Sequence, residues 1–139
     1  MTLKEFFKGD RFAVLAGCKL IEIKEGYARA KMTVEEHHLN GGNFCQGGAI
    51  FTLADLAFAA AVNSHLVLTV STSSNISYFR SVPLGTTVYA EARELLNHHR
   101  MPYAEVRVTD EQEHLVAIFT SSGYRKQEVK LEGVEAPEE

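Results

Sequence analysis

A pair of glycines, Gly47-Gly48, opens a long apolar stretch of the sequence and is the first feature that could support chemistry. Because neither residue has a side chain, another group can approach their backbone closely. If a helix begins at this pair, its first N–H groups have no partner within the helix, and its dipole is positive at that end. Such an end can bind an anion, or a carbonyl oxygen that becomes one during a reaction. The glycines could equally serve tight packing of the helix against a sheet.

A single carboxylate, Asp55, lies in the middle of this apolar stretch. Burying an unpaired carboxylate costs on the order of several kcal/mol, a large part of a domain's net stability. Hydroxyls from the segment Ser71 to Ser74 could satisfy it as part of the core architecture. A perturbed carboxylate in a cleft is more often chemical, so Asp55 is the first candidate for a catalytic group.

The spacing between these two features indicates how they would have to work together. Asp55 follows Gly48 by seven positions, which is two turns of helix or about 10 Å along its axis. An attacking group must come within roughly 3–3.5 Å of its target, so Asp55 cannot react with a carbonyl held at the start of its own helix. A second, antiparallel copy of the helix would place each Asp55 opposite the other copy's Gly48. The spacing therefore predicts active sites shared across a two-fold symmetric dimer.

The elements that would position these groups are one helix and a series of strands. The stretch from Gly47 to about Ser64 is apolar on all sides, so as a helix it must be covered over most of its surface. Alternating segments on either side of Glu25-Gly26 predict a hairpin. Four further β-rich segments follow the helix: Leu66–Phe79, Thr86–Leu96, Tyr103–Thr109 and His114–Tyr124. The simplest arrangement is an α+β fold in which an antiparallel sheet curls around the helix.

The length of 139 residues allows one domain with a sizeable core. We expect this domain to span residues 1–126 and to open with a short helix between Leu3 and Ala16, interrupted near Gly9. The last residues, 127–139, are polar, and we expect them to form a flexible tail.

Charge and composition argue against several classes of protein. The 18 acidic and 14 basic side chains give a formal charge of −4, which argues against a nucleic-acid-binding protein. The longest uninterrupted apolar run, Leu56 to Val62, is far shorter than the ~20 residues of a membrane span, and the N-terminus lacks a signal-peptide core. Two cysteines, Cys18 and Cys45, make a weak case for a disulfide scaffold. We therefore expect a cytoplasmic protein with reduced thiols and no membrane partner.

The segment NGGNFCQGGAIFTLAD, from Asn40 to Asp55, resembles the hot-dog-fold thioesterases, and in particular the phenylacetyl-CoA thioesterase type, related to the 4-hydroxybenzoyl-CoA thioesterases. The family pattern is an Asn, then His-Gly-Gly six residues on, and then an acidic residue in a Leu-Ala-Asp context. Asn40, Gly47, Gly48 and Asp55 fall on these positions without a gap. The segment NISYFRSVPLG resembles the family's next strand and turn, and the similarity covers most of the chain.

The resemblance implies a hot-dog fold, with the apolar helix wrapped by a curved antiparallel sheet, and homodimers that pair their sheets edge to edge. Many members form homotetramers. The substrates are acyl-CoA thioesters, hydrolysed to free acid and CoA, with no metal or other cofactor. The Gly48 N–H, with Gly47 nearby, would polarise the thioester carbonyl. Asp55 of the partner subunit would act as the nucleophile or as the base that activates water.

Other roles implied by the resemblance belong to the residues around these two. Asn40 would orient water or the substrate carbonyl, and a hydroxyl of Ser71, Thr72 or Ser73 would help to hold the water, with the family spacing favouring Ser73. The sequence departs from the family at Gln46, where the family has His. A Gln amide can still donate a hydrogen bond, but it cannot accept and return a proton near neutral pH as His can.

Several side chains could bind other parts of the substrate. Arg80 and the pair Arg125-Lys126 could contact the phosphates of CoA, since arginine suits bidentate phosphate contacts; an exposed strand end explains them equally well. Four aromatic residues could line the acyl pocket or fill the core: Phe44, Phe51, Phe58 and Tyr78.

The cysteines and histidines are weaker candidates. A nucleophilic pair of Cys45 with a histidine lacks an evident orienting third group, so a small apolar plug is the better interpretation. The pairs His37-His38 and His98-His99 do not suit a metal, because adjacent residues on a strand point to opposite faces. We interpret both pairs as surface turns.

An acyl-CoA thioesterase is the favoured hypothesis. The main alternative is a non-catalytic acyl-CoA-binding or sensor protein on the same fold, because Gln46 replaces the usual His. A hydratase or dehydratase generally pairs an acid with a histidine, which position 46 does not supply.

Overall fold

The computed structural model describes residues 1–134, without the side chains of residues 127 and 128. Two short helices, α1 (Leu3–Lys8) and α2 (Arg11–Leu15), precede a hairpin of β1 (Lys19–Lys24) and β2 (Tyr27–Thr33). A 3-10 turn (Glu36–His38) leads to the long helix α3 (Gly47–Val62), which ends in a second 3-10 turn (Asn63–His65). The remaining strands are β3 (Val67–Tyr78), β4 (Thr87–Leu96), β5 (Tyr103–Thr109) and β6 (Leu115–Lys130).

The N-terminal segment forms two helices rather than one interrupted helix. A capping box starts α1: the Thr2 hydroxyl accepts from the Glu5 N–H at 3.2 Å, and the Glu5 carboxylate accepts from the Thr2 N–H at 2.9 Å. Gly9 ends α1 as its C-cap. The Asp10 carboxylate then caps α2 by accepting from the Ala13 N–H at 3.1 Å.

The six strands form one antiparallel sheet in the order β1-β2-β4-β5-β6-β3. The first hairpin turns at Gly26, whose φ of 68° suits glycine. The sheet curls around α3, which lies against all six strands. The α+β fold predicted from the sequence is confirmed.

Small side chains on the inner face of the sheet let α3 approach it closely. The inward positions of β2 and β4 include four fully buried alanines, Ala28, Ala30, Ala90 and Ala92. Larger side chains fill the space beside them. Phe119 of β6 packs against Phe58 and Phe51 of α3, with ring centroids 6.0 Å and 5.2 Å apart. Phe58 and Phe119 therefore belong to the core.

The segment Gly47–His65 contains an 18-residue window with a mean hydropathy of 1.3, so it is long and apolar enough, by length and composition alone, to cross a membrane. Within this fold, however, 61% of that window is buried inside the protein. The sheet covers the apolar surface of this helix, so the helix forms part of the protein core.

One face of α3 is left uncovered by the sheet. Gly48, Thr52, Asp55 and Ala59 are each exposed or partly exposed, and their spacing of four, three and four residues places them in one stripe along the helix. We call these four residues the α3 stripe. The edge strand β3 is also open, because it pairs on one side only, with β6, and its residues 71–75 are exposed.

The C-terminal strand is longer than the sequence predicts. Strand β6 continues to Lys130, so the predicted boundary after residue 126 falls inside a strand. Beyond it, the Leu131 N–H donates to the Leu66 carbonyl at 3.1 Å, and the Leu3 N–H donates to the Gly133 carbonyl at 2.7 Å. Polar composition did not prevent this pairing, because strands bond through their backbone. Residues 135–139 of the predicted tail lie outside the described residues.

Candidate active site

Helix α3 begins at the glycine pair, as the sequence predicts. Gln46 is the N-cap residue, and its carbonyl accepts from the Ala49 N–H at 3.0 Å. Gly47 and Gly48 therefore supply the two N–H groups that precede the first bonded turn. Within residues 1–134, no group accepts a hydrogen bond from either N–H. Because Gly48 is exposed, its N–H is a donor available to a ligand.

A tyrosine from the end of β3 covers the other glycine. The Tyr78 hydroxyl donates to the Gly47 carbonyl at 2.8 Å. The ring lies so close to the Gly47 Cα that an added Cβ would be 2.8 Å from Tyr78 Cζ, so position 47 requires glycine while the ring stays in place. Burial raises the pKa of Tyr78, and the Cys45 thiol adds to the rise. The sequence offered Tyr78 only as pocket lining or core, because these residues are 31 positions apart.

Gln46 lies beside the available donor. Its side chain is exposed, and its Oε1 is close enough to Gly48 that an added Cβ there would come within 2.6 Å. Its backbone N–H donates to the His38 carbonyl at 2.8 Å. Gln46 is thus near the position where a ligand of the Gly48 N–H would lie.

Asn40 organises the loop that leads into α3. Its Oδ1 accepts from the N–H groups of Gly42 at 2.9 Å and Phe44 at 3.1 Å. These bonds engage the side-chain oxygen, so the amide nitrogen of the exposed Asn40 is left to donate. A group that can only donate suits a water or carbonyl oxygen.

Asp55 is partly buried on the α3 stripe. Burial raises its pKa, the nearby Asp10 carboxylate raises the pKa further, and a hydrogen bond from Ser71 lowers it. The Ser71 Oγ lies 3.5 Å from Asp55 Oδ1, which is long for a hydrogen bond. One long contact is a poor structural reason for placing a carboxylate here. The proximity of Asp10 could not be read from the sequence, although Asp10 itself has the position of a helix cap.

Among the three candidate hydroxyls, the structure brings Ser71 to Asp55. A β-bulge lies between Ser71 and Ser73, and it changes the alternation of the strand. The Thr72 hydroxyl instead bonds the Ser122 hydroxyl at 2.9 Å. Ser73 is exposed beside Ser122. The family resemblance favoured Ser73, whereas in this chain Ser71 makes the contact, because the bulge changes which side chains of the strand share a face.

Two open cavities adjoin the glycine pair. The first, of about 380 Å³, reaches Gly48 and has Phe12 and Leu15 of α2 on its wall. The second, of about 550 Å³, reaches Gly47 and contains Asn40, Phe44, Tyr78 and Arg80 in its wall. Asp55 lines neither cavity. Because Asp55 follows Gly48 by seven residues on α3, its carboxylate and the Gly48 N–H of the same chain are two helical turns apart.

The two arginines among the predicted phosphate ligands differ in exposure. Arg80 is exposed at the rim of the second cavity. Arg125 is buried, and its Nη2 donates to Asn97 Oδ1 at 2.9 Å and lies 3.9 Å from Glu94 Oε2. The predictions for Arg125, a phosphate ligand or an exposed strand end, are therefore both wrong. Lys126 is exposed.

The cysteines are poor nucleophiles here. Both are buried, and burial raises the pKa of Cys45 to about 11 and, together with Asp10 and Cys45, that of Cys18 to about 12. Their thiols are thus protonated at neutral pH, which disfavours a Cys45 nucleophile.

The histidine pairs differ from each other. His38 is buried, its Nε2 lies 2.6 Å from the Ala16 carbonyl, and its Nδ1 accepts from the Glu35 N–H at 2.9 Å. The predicted surface turn is therefore wrong for His38, which joins the 3-10 turn to the end of α2. His98 and His99 are exposed, as predicted. Within residues 1–134, no cluster of three or more His, Cys, Asp and Glu side chains could hold a metal.

Comparison with known proteins gives a consistent result. The pattern of the thioesterase superfamily matches residues 38–117. A relative from Archaeoglobus fulgidus, provisionally named an esterase, is 37% identical over 88% of this chain and 79% of its own length. The acyl-coenzyme A thioesterase PaaI of Escherichia coli is 32% identical over 86% of this chain and 85% of its own length.

Solved structures agree with the sequence matches. The Escherichia coli PaaI protein, from the phenylacetic acid degradation operon, superposes with a TM-score of 0.87 over 92% of each chain, at 30% identity. A Streptococcus mutans protein solved with bound acetyl-CoA gives a TM-score of 0.77 at 25% identity, covering 83% of this chain and 91% of that one. Fold, motif and comparisons together place this chain in the hot-dog-fold thioesterase superfamily, in its PaaI-like branch.

Proposed function

We propose that this protein is an acyl-CoA thioesterase, which hydrolyses a CoA thioester to a free acid and CoA. The observation that carries the proposal is the α3 stripe, which presents the unengaged Gly48 N–H and the partly buried Asp55 carboxylate two turns apart. The relatives support the substrate class: Escherichia coli PaaI is named for this activity, and the Streptococcus mutans protein was solved with acetyl-CoA.

The active unit is a homodimer whose two α3 helices pack antiparallel along their stripes. When Asp55 of one helix lies opposite Gly48 of the partner subunit, the crossing point falls between Phe51 and Thr52. The Thr52 hydroxyl donates to the Gly48 carbonyl of its own chain at 2.9 Å, so the crossing buries no unpaired hydroxyl. The small residues of the stripe allow helix axes to approach within about 8–10 Å, a distance that side chains can span.

The open edge of the sheet supports the same assembly. Strand β3 is 12 residues long, and a long unpaired edge is normally protected in native proteins. Pairing of two β3 edges across a two-fold axis would protect both and continue the sheet. Homotetramers, implied by the resemblance, would combine two such dimers without changing the shared sites.

In the reaction, the Gly48 N–H donates to the thioester carbonyl oxygen, where negative charge develops as the tetrahedral intermediate forms. Asp55 of the partner subunit removes a proton from the attacking water, or attacks the carbonyl itself to give an anhydride that water then cleaves. In both routes the carbon–sulfur bond breaks, and the CoA thiolate leaves and takes up a proton. The raised pKa of Asp55 makes it a stronger base than an ordinary aspartate. Water is the only co-reactant, and no metal or prosthetic group is needed.

The cavities suggest how the substrate lies across the start of α3. We place the acyl group in the cavity beside Gly48, because Phe12 and Leu15 give it an apolar wall. We place the CoA side in the cavity beside Gly47, where Arg80 can meet a phosphate and the Asn40 amide can donate to the substrate or to water.

Thiol release from aryl-, short-chain and long-chain acyl-CoAs tests the activity. We expect Asp55→Asn and Asp55→Ala to lower hydrolysis by about 10²–10⁴-fold, the usual contribution of a general base, while circular dichroism and size-exclusion chromatography stay unchanged. Glu105→Gln, on the outer face of β5, is the control and should keep the parent's rate. Parent-like rates in both Asp55 variants would show that another group performs the chemistry.

Mixing two inactive variants tests the shared site. In a mixed dimer of Asp55→Asn and Gly48→Val subunits, one site carries both substitutions and the other site carries neither. Random exchange should therefore restore roughly a quarter of the parent's activity. If subunit exchange is verified and no activity returns, each site lies within one chain and the antiparallel arrangement is wrong.

The second candidate function is a non-catalytic acyl-CoA-binding protein, and Gln46 in place of the family's His is the observation that favours it. Such a protein would bind acyl-CoA in calorimetry and release no thiol above the uncatalysed rate. Activity that emerges only in Gln46→His would support this second function over the first.

A further inference from the structure

The contact between Tyr78 and Gly47 acts on the same peptide unit that holds the proposed oxyanion donor. The Gly47 carbonyl and the Gly48 N–H are the two ends of one amide group. A carbonyl oxygen can only accept, so the phenol of Tyr78 must donate to it, over 2.8 Å. Tyr78 therefore bonds the carbonyl end of the peptide group whose N–H end faces the substrate.

A hydrogen bond at one end of an amide affects the other end. Donation to the carbonyl oxygen draws electron density away from the nitrogen, and the N–H becomes a stronger donor, an effect of about 10–30% per bond. The bond also fixes the plane of the peptide, and hence the direction of the N–H. The ring lies against the Gly47 Cα, where an added Cβ would be 2.9 Å from the Tyr78 Oη, so the peptide is held on two sides.

We propose that Tyr78 is a positioning residue for thioester hydrolysis, which orients and polarises the Gly47–Gly48 peptide so that the Gly48 N–H stabilises the developing oxyanion. The inference rests on the proposed function. It adds a residue outside the segment from Asn40 to Asp55, and it assigns a role to the phenol that packing does not explain. Tyr78 is 46% exposed, so its hydroxyl could bond to water and does not need the Gly47 carbonyl as a partner.

The simplest test is Tyr78→Phe, which keeps the ring over Gly47 and removes the donor. One oxyanion donor is worth about 10²–10³-fold in kcat, and weakening it by the fraction given above corresponds to a loss of roughly two- to eightfold in kcat. KM should change little, because the effect grows only as charge develops. Tyr27→Phe is the matched control: its phenol also bonds at 2.8 Å, to Glu91, on the outer face of the sheet, and its kcat should equal the parent's.

A graded series separates polarisation from packing. Site-specific replacement of Tyr78 by mono- and difluorotyrosine makes the phenol a progressively stronger donor, provided that the pH keeps it protonated. We expect kcat to rise in the order of phenol acidity, with Phe at the bottom of the series. A purely structural role predicts one common rate for all the phenols.

The outcomes separate the two proposals. If the parent protein releases no thiol from any acyl-CoA, or Asp55→Asn is as active as the parent, then the proposed function fails. If the parent is active and Asp55→Asn is not, but Tyr78→Phe and the fluorinated series all match the parent's kcat, the role of Tyr78 is refuted alone.

Discussion

Alanine at Gly47 should lower both stability and activity, whereas alanine at Gly48 should lower activity alone. At Gly47 the new Cβ would lie 2.8 Å from Tyr78 Cζ and 2.9 Å from its Oη, so the ring must move and its hydrogen bond to the Gly47 carbonyl is lost. At Gly48 the new Cβ meets the Gln46 side chain, whose Oε1 would lie 2.6 Å away. That side chain is exposed and can rotate away.

The difference between the two variants can be worked out from these contacts. Both replacements gain the helix preference of Ala over Gly, at most about 0.5–1 kcal/mol, and this gain cancels when the two variants are compared. What remains is the hydrogen bond lost at Gly47, about 0.5–1.5 kcal/mol. Gly47→Ala should therefore be less stable than Gly48→Ala by about 0.5–1.5 kcal/mol, or very roughly 3–5 °C in Tm for each kcal/mol in a chain of this size.

Denaturant unfolding followed by circular dichroism measures this difference. The protein concentration must be the same throughout, because dimerisation would couple stability to concentration. Gly48→Ala should retain its stability and lose on the order of 10²-fold in activity, since its methyl group displaces the carbonyl from its donor. In a Tyr78→Ala background, the penalty of Gly47→Ala should vanish. Equal stability of the two single variants, or an undiminished penalty in that background, would mean that the ring does not rest on Gly47.

Two further predictions concern the chemistry and the CoA side of the site. The pKa of Asp55 is raised by burial and by Asp10 and lowered by Ser71, and Asp55 acts when it is ionised. Asp10→Asn, which keeps a helix cap, should therefore lower the pKa of Asp55 and move the acidic limb of the kcat/KM profile to lower pH. Ser71→Ala should raise this pKa and move the limb to higher pH. Limbs that stay in place in both pH profiles would contradict this coupling. Arg80→Ala should raise KM for an acyl-CoA by about three- to tenfold and leave the N-acetylcysteamine thioester of the same acid unaffected; equal changes for both substrates would mean that Arg80 contacts no phosphate.

The architecture could be predicted because its signals repeat along the chain. Alternation of apolar and polar residues marks strands with one buried face, and a helix apolar on every side leaves few arrangements besides a sheet curled around it. The loop-to-helix motif around Gly47-Gly48 is contiguous, so its local geometry follows from the order of its residues. The strand end near Lys130 escaped prediction, because backbone pairing depends on the presence of a neighbouring strand and hardly on polarity.

The sequence by itself determined the spacing of Gly48 and Asp55, and the pitch of a helix converts that spacing into a separation of two turns, which is the basis for proposing a second chain. Tertiary structure alone decided which groups meet across elements. The bulge in β3 selected Ser71 as the contact of Asp55, and the end of β3 brought Tyr78 onto Gly47. Such meetings depend on strand register, twist and packing, and a change of one residue in register sends a side chain to the opposite face. Periodic patterns fix the faces of elements, while the contacts between them are set by the fold as a whole.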